Sequence, residues 1–299
     1  LGEELKGEYL YQKALAALHR ENWIEAFQIL LELVKTHPDF LPGYRELASI
    51  SWEGGHYSFA REVLEEALKH HPKNPDCNLL LGNIHYMERD YRKALRHYAL
   101  AKRFQQASPE LEYNIGLCFR QLGDKVKAVT HFTMALEMAP DMVEALLALG
   151  SCYLEEKELE EAEEVLWQVL ELEPSNAEAY HFLGVVQAHR EEWDEALILW
   201  EEAIALDPYR PETLREMGWA HHMKGERDVA IDFLEASIRL NPKYIQARFD
   251  VSLVYMQSQR IAEAMENLRA ILEVEPYNTL ALRYMEEVRK LGGYLEGEG

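Results

Sequence analysis

Apolar residues along the 299-residue chain fall into short stripes with the three- and four-residue spacing of a half-buried helix, separated by polar turns. One stretch shows the unit. From Ala177 to Arg190 the small or apolar stripe is Tyr180, Leu183, Gly184 and Val186. From Trp193 to Leu206 it is Ala196, Ile198, Leu199, Trp200 and Ala203. The spacing predicts two helices, A and B, joined by a short turn. The same pair recurs, because Pro38, Pro72, Pro140, Pro174, Pro208, Pro242 and Pro276 are spaced by 34 residues or a multiple of 34. Eight gapless frames follow: 7–40, 41–74, 75–108, 109–142, 143–176, 177–210, 211–244 and 245–278.

The columns of these frames carry the packing. The twentieth is alanine every time, from Ala26 and Ala60 to Ala264. The eighth is always small: Ala14, Ala48, Gly82, Gly116, Gly150, Gly184, Gly218 and Ser252. The twenty-fourth is always large: Leu30, Leu64, Tyr98, Phe132, Leu166, Trp200, Leu234 and Leu268. Two antiparallel helices joined by a short turn approach closely only where neither carries a bulky side chain, which accounts for the small columns. Gly55, Gly123 and Gly225 are expected to end helices A. Asn74-Pro75 and Ser108-Pro109 set a capping residue before a proline at the first helical position. Gln106 replaces one proline of the series, and Ser108-Pro109 serves that break.

On these columns the chain resembles the tetratricopeptide repeat family over 272 of its residues. The resemblance implies an all-α, right-handed solenoid of eight helix pairs, about one superhelical turn, with helices A lining a concave groove and helices B facing outward. Pentatricopeptide repeats fit worse, since they run 35 residues and bind RNA, and half-a-TPR arrays lack this proline column. Residues 1–6 read as a short lead. Residues 279–292 read as a capping helix, Leu280 to Leu291, stopped by Gly292-Gly293. Its eighth column is Glu286, against which no further helix B docks closely. Residues 293–299 read as a flexible tail.

Groove side chains in this family come chiefly from the fifth, ninth and twelfth columns. The residues carried to those columns as partner contacts are Tyr11, Arg45, Trp52, Asn83, Tyr86, Tyr113, Arg120, His181, Arg215, Trp219, His222, Phe249 and Met256. None of the 24 positions is acidic, although the chain has 53 Asp and Glu. The expected ligand is a peptide or helix with apolar anchors and acidic residues or a free C-terminus. Leu15, Leu79, Leu117, Leu147 and Leu253 also fall on these columns, and packing between helices A competes with ligand contact for them. A carboxylate clamp of Lys and Asn, known in some family members, is not expected. Frames three to five supply Asn83 and Asn114, but Leu79, Glu144 and Ala148 stand where the basic residues are needed. The second column is acidic in six frames (Glu8, Asp76, Glu110, Glu144, Glu178 and Glu212), where the positive end of helix A's dipole favours it.

The formal charge is −22, with 31 Lys and Arg. That disfavours a nucleic-acid partner. Frames five and six hold −15 of it and frame three carries +3. Solvated outer faces explain both, and a contact between the basic and acidic repeats of two copies is the sharper alternative. No nucleotide, nucleophile-elbow or zinc-protease motif is present. No catalytic residue, cofactor or metal is therefore expected, and His181, His189 and His222 are the one histidine group weighed as metal ligands. Cys77, Cys118 and Cys152 form no C-x-x-C and read as small buried hydrophobes. A reducing compartment, the cytoplasm, is expected, with the periplasm as alternative. No apolar run reaches the roughly 18 to 20 residues of a membrane span. Leu1 is not Met, so a leader, an anchor or a further domain outside this stretch stays open. The functional expectation is a non-catalytic protein-interaction scaffold. A self-assembling module and the regulatory part of a larger enzyme are the alternatives.

Overall fold

The computed structural model describes the backbone of residues 2–104 and 107–297 and the side chains of 5–104 and 107–290. Gln106 lies outside them. Among the described residues there are seventeen helices and no strand. The chain divides into two compact units, Leu1–Ala145 and Leu146–Gly299.

The first unit stacks four helix pairs: α1 (Gly2–Leu18) with α2 (Trp23–Thr36), α3 (Leu41–Glu53) with α4 (Tyr57–His70), α5 (Pro75–Met87) with α6 (Tyr91–Phe104), and α7 (Pro109–Gln121) with α8 (Lys125–Met138). α9 (Val143–Glu156) starts at the end of that unit and continues into the second. There it is followed by α10 (Leu159–Leu172), α11 (Ala177–His189), α12 (Trp193–Leu206), α13 (Pro211–Met223), α14 (Arg227–Leu240), α15 (Ile245–Gln257), α16 (Ile261–Val274) and α17 (Thr279–Gly297). Each unit is thus a run of tandem α-solenoid pairs. Leu41, Pro75, Pro109, Val143, Ala177, Pro211 and Ile245 each open both a frame and a helix. Both termini differ from expectation. α1 already begins at Gly2, and α17 runs through Gly292-Gly293 to Gly297. Glycine within a helix costs only about 1 kcal/mol against alanine, and without a left-handed cap two glycines do not end one.

The turn between A and B is built the same way eight times. The fifteenth column has positive φ in every repeat: Gly55, Gly123 and Gly225 at 76° to 82°, and Glu21, Arg89, Lys157, Glu191 and Gln259 at 57° to 62°. The next residue's N–H reaches back five residues to close helix A, as His56 does to Ser51 at 2.8 Å and Asp124 to Phe119 at 2.9 Å. This is the paired-bond helix stop that favours glycine. The composition signalled it in three repeats and hid it in five. Asn74, Ser108, Asn176 and Asn278 cap the helices that follow, each side chain accepting from the backbone N–H three residues on.

The eighth and twenty-fourth columns meet inside each repeat. A Cβ built on Gly82 would stand 2.3 Å from the Tyr98 ring, on Gly116 2.6 Å from Phe132, and on Gly184 2.3 Å from Trp200. The large partners are fully buried, and the Trp200 indole N–H donates to the His181 carbonyl at 3.0 Å. The fourth and twenty-third columns form a second contact 19 residues apart. It is polar in three repeats: His97 to Asn78 at 3.1 Å, His131 to Glu112 at 2.8 Å, and Arg248 to Asn267 at 2.9 Å. Buried Glu112 also takes Lys102 at 2.6 Å, so its carboxylate is not left alone in the core. Leu30, Leu47, Leu64 and Leu81 sit at the centre of one apolar cluster in the first unit. Leu234, Val251, Leu268 and Ile271 do so in the second. Each such side chain contributes roughly 1.5–3 kcal/mol on burial.

Candidate functional site

Helices A of successive repeats approach one another within each unit, α5 to α7 in the first and α11 to α13 to α15 in the second. The resemblance expects these helices to form the inner wall of each stack, with the fifth, ninth and twelfth columns facing along it.

In the first unit Trp52 and Asn83 border one cavity, and the other expected residues are accessible to different degrees. Tyr11, Trp52, Tyr86 and Tyr113 are half-buried, neither sealed nor bare. Each rests on another ring: Tyr11 on Phe40 at 5.5 Å, Trp52 edge-on to Tyr57 at 4.9 Å, Tyr86 on Tyr91 at 5.5 Å, Tyr113 on Phe132 at 5.7 Å. A cavity of about 150 Å³ opens beside Trp52, between α3, α4 and α5, with Ser49, Leu80 and Asn83 in its wall. The Asn83 carbonyl oxygen is already used, accepting from Tyr98 at 2.8 Å and Asn114 at 3.3 Å. Arg120 is half-buried and meets no carboxylate among the described residues. Burial pushes the Tyr86 hydroxyl pKa up while nearby Arg120 pulls it down, so the guanidinium lies within electrostatic reach of that hydroxyl. Arg45 is exposed and pairs with Asp76 at 3.0 Å, giving the second-column acid a partner besides the helix dipole.

The second unit corrects the expectation for two residues. His181 does not line the wall. It is 7% exposed, its Nδ1 is 2.9 Å from the Thr213 hydroxyl, and burial with Arg210 and Arg215 holds its pKa down at about 4. It is a neutral core imidazole, while His189 stays exposed. Arg215 is not a free cation. It bonds Asp250 at 2.5 Å and Glu216 beside it, and the three side chains are largely buried. Burial raises the pKa values of both acids against the pull of Arg215. Glu216 and Asp250 occupy the sixth column, next to the columns read for partner contacts. Reading three columns missed this, and acids at column six of consecutive frames were the available signal. Trp219, His222, Phe249 and Met256 remain half-buried, with Trp219 and His222 rings 5.1 Å apart and Phe249 6.2 Å from Tyr284. Leu15, Leu79, Leu117, Leu147 and Leu253 are half-buried.

A larger opening, about 670 Å³, lies elsewhere in the first unit, lined by Trp23, Ile24 and Phe27 of α2, Ile50 of α3 and His56. The three cysteines are buried, and burial pushes the Cys77 thiol up to about 11 and Cys118 to about 12, leaving both protonated. Among the described residues no His, Cys, Asp and Glu trio is arranged to hold a metal ion, and no helix is long and apolar enough to cross a membrane.

Small-on-large packing at one column pair, a left-handed residue at the fifteenth column and contacts between successive helices A define a tandem helix-hairpin repeat protein, a class of protein-interaction scaffold. The family model described as the Cilia and flagella-associated protein 70 C-terminal domain, a tetratricopeptide-repeat domain, matches residues 72–283. The chain belongs to that family. A search of curated protein sequences found no match. Among solved structures, a chain of the structure described as the APC/C hetero-tetramer Cut9-Hcn1 is similar at 19% identity and a TM-score of 0.69, over 93% of this chain and 55% of that one. This chain thus spans little more than half of that protein's length. A tetratricopeptide repeat protein from Parabacteroides merdae is similar at 17% identity and a TM-score of 0.61, over 95% and 98% of the two chains. YrrB, whose structure is described as a TPR protein with an unusual peptide-binding site, is similar at 22% identity and a TM-score of 0.53, over 62% and 95%. At these identities the likeness is one of fold.

Proposed function

We propose that the inner wall of the first unit binds a peptide or helix that carries apolar anchors and acidic residues, and that the protein acts as a non-catalytic scaffold. The observation that carries this is the row of half-buried aromatics Tyr11, Trp52, Tyr86 and Tyr113, with a cavity open beside Trp52 and the unneutralised Arg120 in the same wall. Rings held by neighbouring rings are presented at low entropic cost, and Trp, Tyr and Arg dominate binding hot spots. An arginine without an internal carboxylate favours one on a ligand. The peptide-binding site named for YrrB and the hetero-tetramer named for the Cut9-Hcn1 structure agree with such a use of this fold.

Selection of a displayed random-peptide library against the purified protein tests the reading. Enriched sequences are expected to combine bulky apolar residues with Asp or Glu. They are expected to lose at least tenfold in affinity on Trp52→Ala and on Arg120→Ala, about 1.4 kcal/mol or more. Circular dichroism checks that both variants stay folded. Enrichment of no sequence, or peptides that bind both variants like wild type, would overturn it.

A further inference from the structure

Helices B turn one stripe of side chains to solvent, the eighteenth, twenty-second, twenty-fifth and twenty-ninth columns, spaced four, three and four residues apart. Two helices fill that stripe with opposite charge. On α6 it reads Arg92, Arg96, Ala99 and Arg103. On α10 it reads Glu160, Glu164, Trp167 and Glu171. In the other six frames the eighteenth, twenty-second and twenty-ninth columns are never all of one sign. All eight residues are exposed, and Trp167 keeps 47% of its surface, an unusual place for an indole.

The charges are also largely unspent. Arg92 and Arg96 meet no carboxylate among the described residues, and Arg103 lies only over the Phe104 ring at 5.7 Å. On the acidic stripe, Glu160 has Arg190 at 3.6 Å, while Glu164 and Glu171 have no cation among the described residues. Neighbouring charges do find partners, as Lys93 finds Asp90 within its repeat and Arg190 finds Glu163 across to the preceding one. The stripes are thus left over after local pairing.

We propose that this protein associates with a second copy of itself, α6 of one copy lying parallel and in register along α10 of the other. The four-three-four spacing is that of the seam between two helices. In parallel register Arg92 faces Glu160, Arg96 faces Glu164 and Arg103 faces Glu171, while small Ala99 leaves room for Trp167. Antiparallel packing would keep Arg92 with Glu171 and Arg103 with Glu160, but it would set Arg96 against Trp167 and Ala99 against Glu164, losing one of the three full pairs and the fit of indole to alanine. The occupant is a second copy because one chain supplies both faces on the same four columns. The −22 carried by each copy opposes approach at long range, and about 0.1 M salt, with a Debye length near 10 Å, screens that while sparing direct contacts. Complementary stripes of this kind set register and partner choice more than raw affinity.

Sedimentation velocity in about 0.1 M salt, over rising protein concentration, tests the contact. Wild type is expected to gain mass with concentration. The triple variant Arg92→Glu, Arg96→Glu, Arg103→Glu is expected to lose the associated species, and so is Glu160→Arg, Glu164→Arg, Glu171→Arg. Mixed together, the two variants are expected to associate again, because each then offers the charge that the other lacks. All six positions are exposed, and circular dichroism confirms that the helices persist. Wild type that stays a single copy throughout would overturn the proposal. So would either triple variant associating like wild type, or variants that fail to recover on mixing. Trp52→Ala and Arg120→Ala leave both stripes intact, so the groove and the self-contact stand or fall separately.

Discussion

Arg45 in the first unit and Arg215 in the second hold the same column of helix A and live in different surroundings. Arg45 is exposed beside Asp76, while Arg215 is sunk among Asp250 and Glu216. The column sets where the side chain starts. Its neighbours on column six decide whether it reaches solvent: Glu46 and Leu80 near the first, Glu216 and Asp250 near the second. The same holds for aromatic and imidazole groups. Trp52 borders a cavity, whereas His181 is closed over by Thr213. One repeat pattern thus leaves Arg45 exposed and Trp52 beside a cavity in one unit, and ties Arg215 and His181 into buried polar bonds in the other.

The largest break of this comparison is Asp250→Ala. It strands a buried guanidinium with only Glu216, and a loss of about 3–5 kcal/mol is expected in urea unfolding. Next comes pH. The His181 pKa is about 4 folded and near 6.5 unfolded, so the unfolded chain takes up the proton first as pH falls. Its stabilisation is complete above about pH 6.5 and is expected to drain away toward the folded value, by on the order of 3 kcal/mol. His181→Gln should flatten that part of the urea-midpoint profile. An unchanged slope would remove His181 from the account.

Gly184→Ala sharpens the packing side. Alanine is the better helix former by about 1 kcal/mol, yet its Cβ would collide with Trp200. A net loss of roughly 1–3 kcal/mol is expected in thermal or urea unfolding, rescued in part by Trp200→Leu. The left-handed column gives a gain instead. Lys157→Gly or Glu191→Gly relieves a backbone strain of about 1 kcal/mol and should raise the unfolding midpoint. Smallest is Asp76→Ala, the exposed counterpart of the first test. It should cost under about 1 kcal/mol, and a loss as large as that of Asp250→Ala would end the contrast between the units.

The sequence by itself determined the repeat. Alanine at column twenty and the inverse sizes at columns eight and twenty-four are local requirements of one helix hairpin, so they recur in the text of the chain. The proline spacing and the frame starts at Leu41, Pro75, Pro109 and the rest follow from the same unit. Five of the eight left-handed turns were not legible, because Glu21, Arg89, Lys157, Glu191 and Gln259 accept that strain without a compositional mark. Nor did the glycine pair near the C-terminus stop α17. Only the tertiary structure decided which inner-wall side chains are spent. Whether Arg215 or Arg120 is available depends on side chains one repeat away, at columns that a single helix cannot reveal. Burial and charge pairing are sums over neighbouring helices, and the chain states those sums only once it is folded.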